Sequence, residues 1–226
     1  ASLRRALPTG CRLILVGDPD QLPPVGPGCP LSDILRSGVV PAVRLTEIFR
    51  QAQESLIVMN AHRVNSGVMP DLKTVTSDFF FLRRRTEEAV ASTIGDLCRT
   101  RLPDRMGIPP EEIQVLSPTR KGPTGTASLN LLLQAQLNPP APDKKEKKWG
   151  DFSFREGDRV MQIRNNYDIL WKKTDGTQVG TGIFNGDIGV ITEIDLNAEL
   201  LTVVFDDRQA EYDFDMLREL ELAYAM

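Results

Sequence analysis

Apolar and polar positions along the chain follow two regimes. As far as about residue 138, short and mostly apolar runs alternate with longer stretches whose apolar residues recur at helical spacing. Residues 12–16, 79–82 and 113–116 are such runs. They predict strands buried on both faces, as in parallel sheets. Residues 31–37 predict a short helix stopped by Gly38. From Glu54 to Asn65, Leu56, Ile57, Met59, Ala61 and Val64 lie near one stripe, with Asn65-Ser66-Gly67 as a helix stop. Residues 87–101 predict an amphipathic helix with Thr86 as N-cap and Pro103 beyond its end. Residues 129–136 predict another, ending before Pro139. Strands alternating with helices in this way read as α/β.

The pattern breaks at Asn138-Pro-Pro-Ala-Pro-Asp-Lys-Lys-Glu-Lys-Lys148. Prolines and charges without apolar periodicity predict a mobile, solvated surface loop. Beyond it the period shortens to that of β-strands, at residues 159–163, 188–194, 201–205 and 211–214. Asp175-Gly176, Asn185-Gly186, Asn197 and Asp206-Asp207 supply the turns. Several short strands within some 60 residues suggest a small SH3-like barrel. A brief helix and an apolar stretch at 220–226 follow.

Composition adds limits. With 41% hydrophobic and 26% charged residues the chain reads as an ordinary soluble globular protein. No apolar stretch approaches the roughly 20 residues that span a bilayer. Cys11, Cys29 and Cys98 form no C-x-x-C pair and leave an odd thiol, which suits a reducing cytoplasm. His62 is the sole histidine, so a histidine-rich metal site is excluded and no metal ligand is assigned. Charge is uneven: residues 1–150 carry an excess of +5 and residues 151–226 an excess of −9, within a net −4. A mildly basic front part suits phosphates, and a strongly acidic back part repels them.

The candidate chemistry begins where the first apolar run stops, at Gly17-Asp-Pro-Asp-Gln-Leu-Pro-Pro-Val-Gly-Pro-Gly28. Ligands of parallel sheets bind beyond the carboxyl ends of the strands, so Asp18 and Gln21 sit where a nucleotide would lie. The other reading is a plain strand-to-loop transition with a polar tip. Further on come Glu47-Ile-Phe-Arg-Gln51, then Ser117-Pro-Thr-Arg-Lys-Gly-Pro-Thr-Gly125 with Leu129-Asn-Leu-Leu-Leu-Gln134. Hydroxyls, a cationic pair and glycines after a strand suit a nucleic-acid phosphate.

The first of these stretches resembles motif III of superfamily 1 helicases, and its proline-rich tail is similar to the RecD-like branch, the exodeoxyribonuclease V alpha-subunit family. Glu47-Ile-Phe-Arg-Gln51 resembles motif IV. The loop at 117–125 is similar to one that contacts single-stranded DNA in that family. Gly157-Asp-Arg-Val-Met-Gln162, Asn165-Asn-Tyr167 and Phe184-Asn-Gly-Asp-Ile-Gly-Val190 resemble the borders and first hairpin of its SH3-like insertion.

The resemblance implies an α/β fold with a RecA-like (P-loop NTPase-type) parallel sheet and an inserted SH3-like β-barrel. Residues 1–40 would end a first RecA-like domain and 41–158 would form most of a second. Residues 159–214 would be the insertion, and 215–226 the return to the second domain. Gln21 and Arg50 would act as catalytic sensors of the ATP γ-phosphate from two sides, with Gln51 assisting. Asp18 would neighbour the Mg²⁺ and its waters. Thr119, Arg120, Lys121 and Asn130 would contact DNA. Each has a plainer reading: an Asx-type cap for Asp18, a surface ion pair with Glu47 or Glu54 for Arg50, a helix cap for Gln51, and a solvated basic turn for the loop. Tyr167 and Trp171 offer base-stacking faces or barrel core. His62 lies on or beside a helix surface.

No G-x-x-x-x-G-K-[ST] occurs, and no apolar run ending in Asp-Glu precedes the first motif. The expectation is therefore an internal fragment of a cytoplasmic ATP-dependent DNA helicase, moving 5′ to 3′ on single-stranded DNA in repair or recombination, and inactive by itself. Two alternatives stay open: the helicase part of a conjugative relaxase, and a module that binds a protein partner through the SH3-like part.

Overall fold

A computed structural model of the chain describes residues 6–21, 27–45 and 54–226. They form two compact units, Ala1–Leu82 and Arg83–Met226.

In the first unit, helix α1 (Pro30–Ser37) starts with proline at its first position, where the missing N–H costs nothing. It stops at Gly38, whose φ of +63° is the left-handed turn that glycine adopts freely. Helix α2 (Leu56–Asn65) starts at Ser55, whose Oγ accepts from Val58 N at 3.3 Å. Ser55 Oγ also donates to Asp78 Oδ2 at 2.6 Å, tying the cap to a residue 23 positions on. Asn60, the buried residue of α2, exchanges two hydrogen bonds with the backbone of Asp71, at 2.9 and 2.7 Å. The apolar stripe expected on α2 is only partly covered, and Ile57 and Val64 are exposed.

Two expected strands are not formed. Residues 12–16 and 79–82 have no ladder partner among the described residues, and Val16 is 94% exposed. A strand is defined by the row of N–H and C=O groups it shares with a neighbour, so an apolar run without one stays irregular.

In the second unit, helix α3 (Glu87–Asp96) is capped as expected, with Thr86 Oγ1 accepting from Ala89 N at 3.2 Å. It does not end before Pro103. The helix widens into a π-turn (Leu97–Arg101) and continues as α4 (Leu102–Met106), closing at Gly107 with φ +66°. The wider turn, closed by Leu102 N donating to Leu97 O, ends just before Pro103 and makes room for the ring that would clash with the preceding turn of an α-helix. Helix α5 (Thr126–Leu137) packs on α3 and buries Leu129 and Leu133 almost completely. The expected strand at 113–116 is reduced to one parallel bridge, Val115 with Ala225.

The remainder is β-structure. A hairpin, β1 (Glu146–Trp149) and β2 (Phe152–Arg155), precedes a seven-stranded antiparallel sheet. Its strands are β3 (Arg159–Gln162), β4 (Asn166–Lys173), β5 (Val179–Ile183), β6 (Ile188–Asp195), β7 (Leu200–Phe205), β8 (Arg208–Asp213) and β9 (Leu220–Leu222). The spatial order is β5-β4-β8-β7-β6-β3-β9, with β5 and β9 as edges among the described residues. Four strands match the sequence expectation within a few residues; the β4–β5 hairpin is additional. Ile191, Ile194, Leu201, Val203, Phe205 and Tyr212 form the sheet's core.

The segment expected to be a mobile loop is a correction. Asn138 is buried, and residues 146–149 pair in register with 152–155. Two of the charges that hide this strand in the sequence are met by residues outside it. Glu146 pairs with Arg155 at 2.6 Å, and Lys147 Nζ lies 3.9 Å from the Phe214 ring centroid.

Candidate functional site

In the first unit, Asp18 and Gln21 meet. Gln21 Nε2 donates to Asp18 Oδ2 at 3.1 Å, while Asp18 Oδ1 accepts from Asp20 N at 2.9 Å. Asp18 is thus the Asx-type cap of its turn and also the group that orients the Gln21 amide. Asn65 Nδ2 donates to Asp20 Oδ2 at 3.2 Å, so the loop is tethered to the end of α2. Both Asp18 and Gln21 are exposed. Arg50 and Gln51 lie outside the described residues, as do residues 22–26 of the proline-rich stretch.

In the second unit, Thr119, Arg120 and Lys121 share one exposed loop. Its backbone is folded over the start of α5: Thr126 N donates to Thr119 O at 2.9 Å and Ala127 N to Arg120 O at 3.2 Å. These carbonyls occupy the first N–H groups of the helix, so an anion here would meet side chains instead of the helix terminus. Ser117 Oγ closes the loop by donating to Thr124 O at 2.7 Å. Gly125 is required by packing, since a Cβ there would lie 2.5 Å from Lys121 O. Arg120 pairs with Glu221 at 2.6 Å.

Asn130 is placed differently from its three companions. It is buried, and Nδ2 donates to Leu222 O at 2.8 Å and Ala225 O at 3.0 Å. Its Oδ1 accepts from Ala225 N at 2.7 Å. The amide therefore holds the 222–225 segment against α5.

Sequence reasoning missed two features. One is an open groove of about 410 Å³ between the 117–124 loop and residues 84–87, which carries Arg84 and Arg85 on its second wall. The Arg83-Arg84-Arg85 run just before the Thr86 cap was the available signal. The other is Asp158, fully buried. Its Oδ1 accepts from Asn138 Nδ2 at 2.7 Å and the Tyr224 hydroxyl at 2.9 Å. Its Oδ2 accepts from Gln134 Nε2 at 2.6 Å and Arg155 N at 2.7 Å. Burial pushes the carboxyl above its usual range, against the pull of these four bonds. Burial and the Asp158 carboxylate push the Tyr224 phenol up in turn. One carboxylate thereby joins α5, the β1–β2 hairpin, β3 and the last residues of the chain.

Of the two aromatics offered for stacking, Tyr167 is 65% exposed and meets Phe184 edge-on, with ring centroids 5.5 Å apart. Trp171 is half-buried against Gly180. His62 is exposed on α2. No helix among the described residues is long and apolar enough to cross a membrane.

Residues 129–205 match the family model described as the SH3 domain of ATP-dependent RecD-like DNA helicases, and residues 1–78 match an AAA domain. The chain is 34% identical, over its whole length, to the ATP-dependent RecD2 DNA helicase of Deinococcus radiodurans, of which it spans 28%. An uncharacterized protein of Methanocaldococcus jannaschii is 26% identical over 78% of this chain, which spans 19% of that relative. Two matching models in tandem and a 34% identical helicase relative, aligned along this chain's whole length, make the chain similar to part of a RecD-like DNA helicase.

Proposed function

We propose that the chain serves an ATP-dependent DNA helicase that translocates 5′ to 3′ on single-stranded DNA, in repair or recombination. The observation that carries this reading is the 34% identity, along this chain's whole length, with a RecD2 helicase of which it spans 28%. In this reading residues 1–40 close a first RecA-like domain and residues 41–158 form most of a second. Residues 159–214 are an SH3-like insertion, and 215–226 return to the second domain.

The Asp18–Gln21 pair fits the edge of a metal–nucleotide site. A carboxylate orients an exposed amide, and the Gln21 Oε1 makes no hydrogen bond among the described residues. Such an amide can donate to a phosphate and accept from a water. ATP with Mg²⁺, when bound, supplies the free energy of phosphoryl transfer. Gln21 would report on the γ-phosphate from one side and Arg50 from the other, with Gln51 beside it and Asp18 near the metal's waters. A planar, permanently charged arginine suits the charge that develops on the transferred group. Opening and closing between the two sides would then alternate the grip on DNA. Thr119, Arg120 and Lys121 offer that grip from their exposed loop, while Asn130 holds the 222–225 segment against α5.

The test is strand displacement by the full-length protein on duplexes with a single 5′ or 3′ tail. ATP-dependent unwinding of the 5′-tailed duplex is the expected result. Unwinding of the 3′-tailed duplex alone overturns the direction, and no unwinding of either overturns the helicase reading. The present chain alone is expected to show no ATP turnover, because it carries no phosphate-cradling P-loop lysine.

A further inference from the structure

We propose that Arg84 and Arg85, facing Ser117 and Thr119 of the 117–124 loop across the groove of the second unit, hold the sugar–phosphate backbone of single-stranded DNA together with that loop. This rests on the reading of that loop as a DNA contact and extends it to a second, unassigned wall. Three observations carry it.

First, the cations are available and one is pre-set. Arg85 and Lys121 are exposed and form no ion pair among the described residues. Arg84 Nε donates to Thr93 Oγ1 at 2.7 Å and its Nη1 to Arg83 O at 3.0 Å. Those bonds fix the guanidinium plane before any ligand arrives, so less side-chain entropy is lost on binding.

Second, the floor is apolar. Val90, Ile94 and Leu116 line it, and Leu116 is 76% exposed. An unpaired strand presents both base faces and phosphates, which suits a cationic wall beside an apolar floor. A duplex hides its bases and gains nothing from that floor. Third, the groove lies in the basic part of the chain, whereas residues 151–226 carry the acidic excess. Glu87 is the one carboxylate in the lining. It belongs to the first turn of α3, where a negative charge is favoured by the helix dipole, and it should weaken the grip on a nearby phosphate.

The experiment uses the whole chain and a fluorescein-labelled oligo-dT of about 15 nucleotides, with binding followed by anisotropy between about 50 and 200 mM salt. Each lost phosphate contact lowers the slope of log K against log salt by about 0.7 for a single strand, or about two- to three-fold in affinity across this range. Arg85→Ala should show that loss, Arg85→Lys should retain the slope, and Glu87→Gln should bind more tightly. Arg105→Ala, on α4 and outside the groove, removes the same charge and should leave the slope unchanged. Equal effects of Arg85→Ala and Arg105→Ala overturn the inference, as does displacement of the oligonucleotide by a polyglutamate peptide of equal charge. If Lys121→Ala lowers the slope and Arg85→Ala does not, this inference falls while the loop's DNA reading stands. If the unaltered chain binds no oligonucleotide, both fall.

Discussion

Asn130 and Ala225, 95 residues apart, exchange a pair of hydrogen bonds. Asn130 Nδ2 donates to Ala225 O at 3.0 Å, and Ala225 N donates to Asn130 Oδ1 at 2.7 Å. With the third bond, to Leu222 O, every polar group of this side chain except one lone pair is committed inside the protein. Replacing Asn130 by Ala leaves three buried backbone groups without partners. The expected cost is about 2–4 kcal/mol in urea unfolding. Single-strand binding by the folded fraction should keep its salt slope, because no phosphate contact is removed. A changed slope at full stability would instead assign Asn130 to the DNA surface.

Asp158 presents a comparable case with a larger stake. Four donors from separate parts of the second unit converge on one carboxylate. Asp158→Ala removes the acceptor of all four at once, leaving Gln134 Nε2 and Asn138 Nδ2 only their bonds to Ser153 O and Glu156 O, and should cost about 3–5 kcal/mol, near the limit for single substitutions. Tyr224→Phe removes one neutral donor and should cost about 1 kcal/mol. The two effects should be non-additive in a double-mutant cycle, since both act on the same oxygen. Additive losses in urea melts would refute the network.

Gly125 tests the loop itself. A methyl group at this position would meet backbone atoms of Arg120 and Lys121 at 2.5 to 2.6 Å, which no side-chain rotation relieves. Gly125→Ala should therefore displace residues 119–121 and cost about 1–3 kcal/mol. Oligo-dT affinity should fall with it. Unchanged affinity in a folded variant would mean that the placement of Thr119, Arg120 and Lys121 does not matter for binding.

The helices were legible in the sequence because their signals are local. Ser55 and Thr86 cap where expected, and Gly38 and Gly67 stop helices where expected. The strands divide by partner. Those at Ile188–Asp195 and Leu200–Phe205 are rich in β-branched residues, lie a turn apart and pair with each other, so composition and pairing agree. Residues 12–16 carry an equally clear apolar run, but pairing is a property of a neighbour, which the run itself does not encode. The strand Glu146–Trp149 fails in the opposite sense: it is formed, yet its charges read as a loop, because Arg155 and Phe214 compensate them from elsewhere. The candidate site shows the same split. Lys121 and Gln21 are visible in short motifs, whereas Asn130's burial and the convergence on Asp158 depend on residues up to 95 and 66 positions away.

Two carboxylates beside α2, Asp78 at its cap and Asp71 in the turn whose backbone Asn60 holds, give a pH prediction whose sign is fixed by their environment. Asp78 accepts from Ser55 Oγ and Thr76 Oγ1, each at 2.6 Å, and these bonds hold its carboxyl down to about 2. Asp71 accepts from Thr74 Oγ1 at 2.7 Å and from the Thr74 and Lys73 N–H groups, and is likewise held down to about 2. Both bonds favour the charged form, so each folded-state value lies below the ordinary 3.8. Their contribution is then complete above about pH 4 and disappears as pH falls through about 2. Amide exchange at the start of α2 should accordingly stay flat down to about pH 4, once corrected for the intrinsic rate, and rise below it. Asp78→Asn, which cannot titrate, should remove most of that rise around Ser55. A rise already present near pH 6, or one that persists in Asp78→Asn, would show that α2 is anchored by something other than these carboxylates.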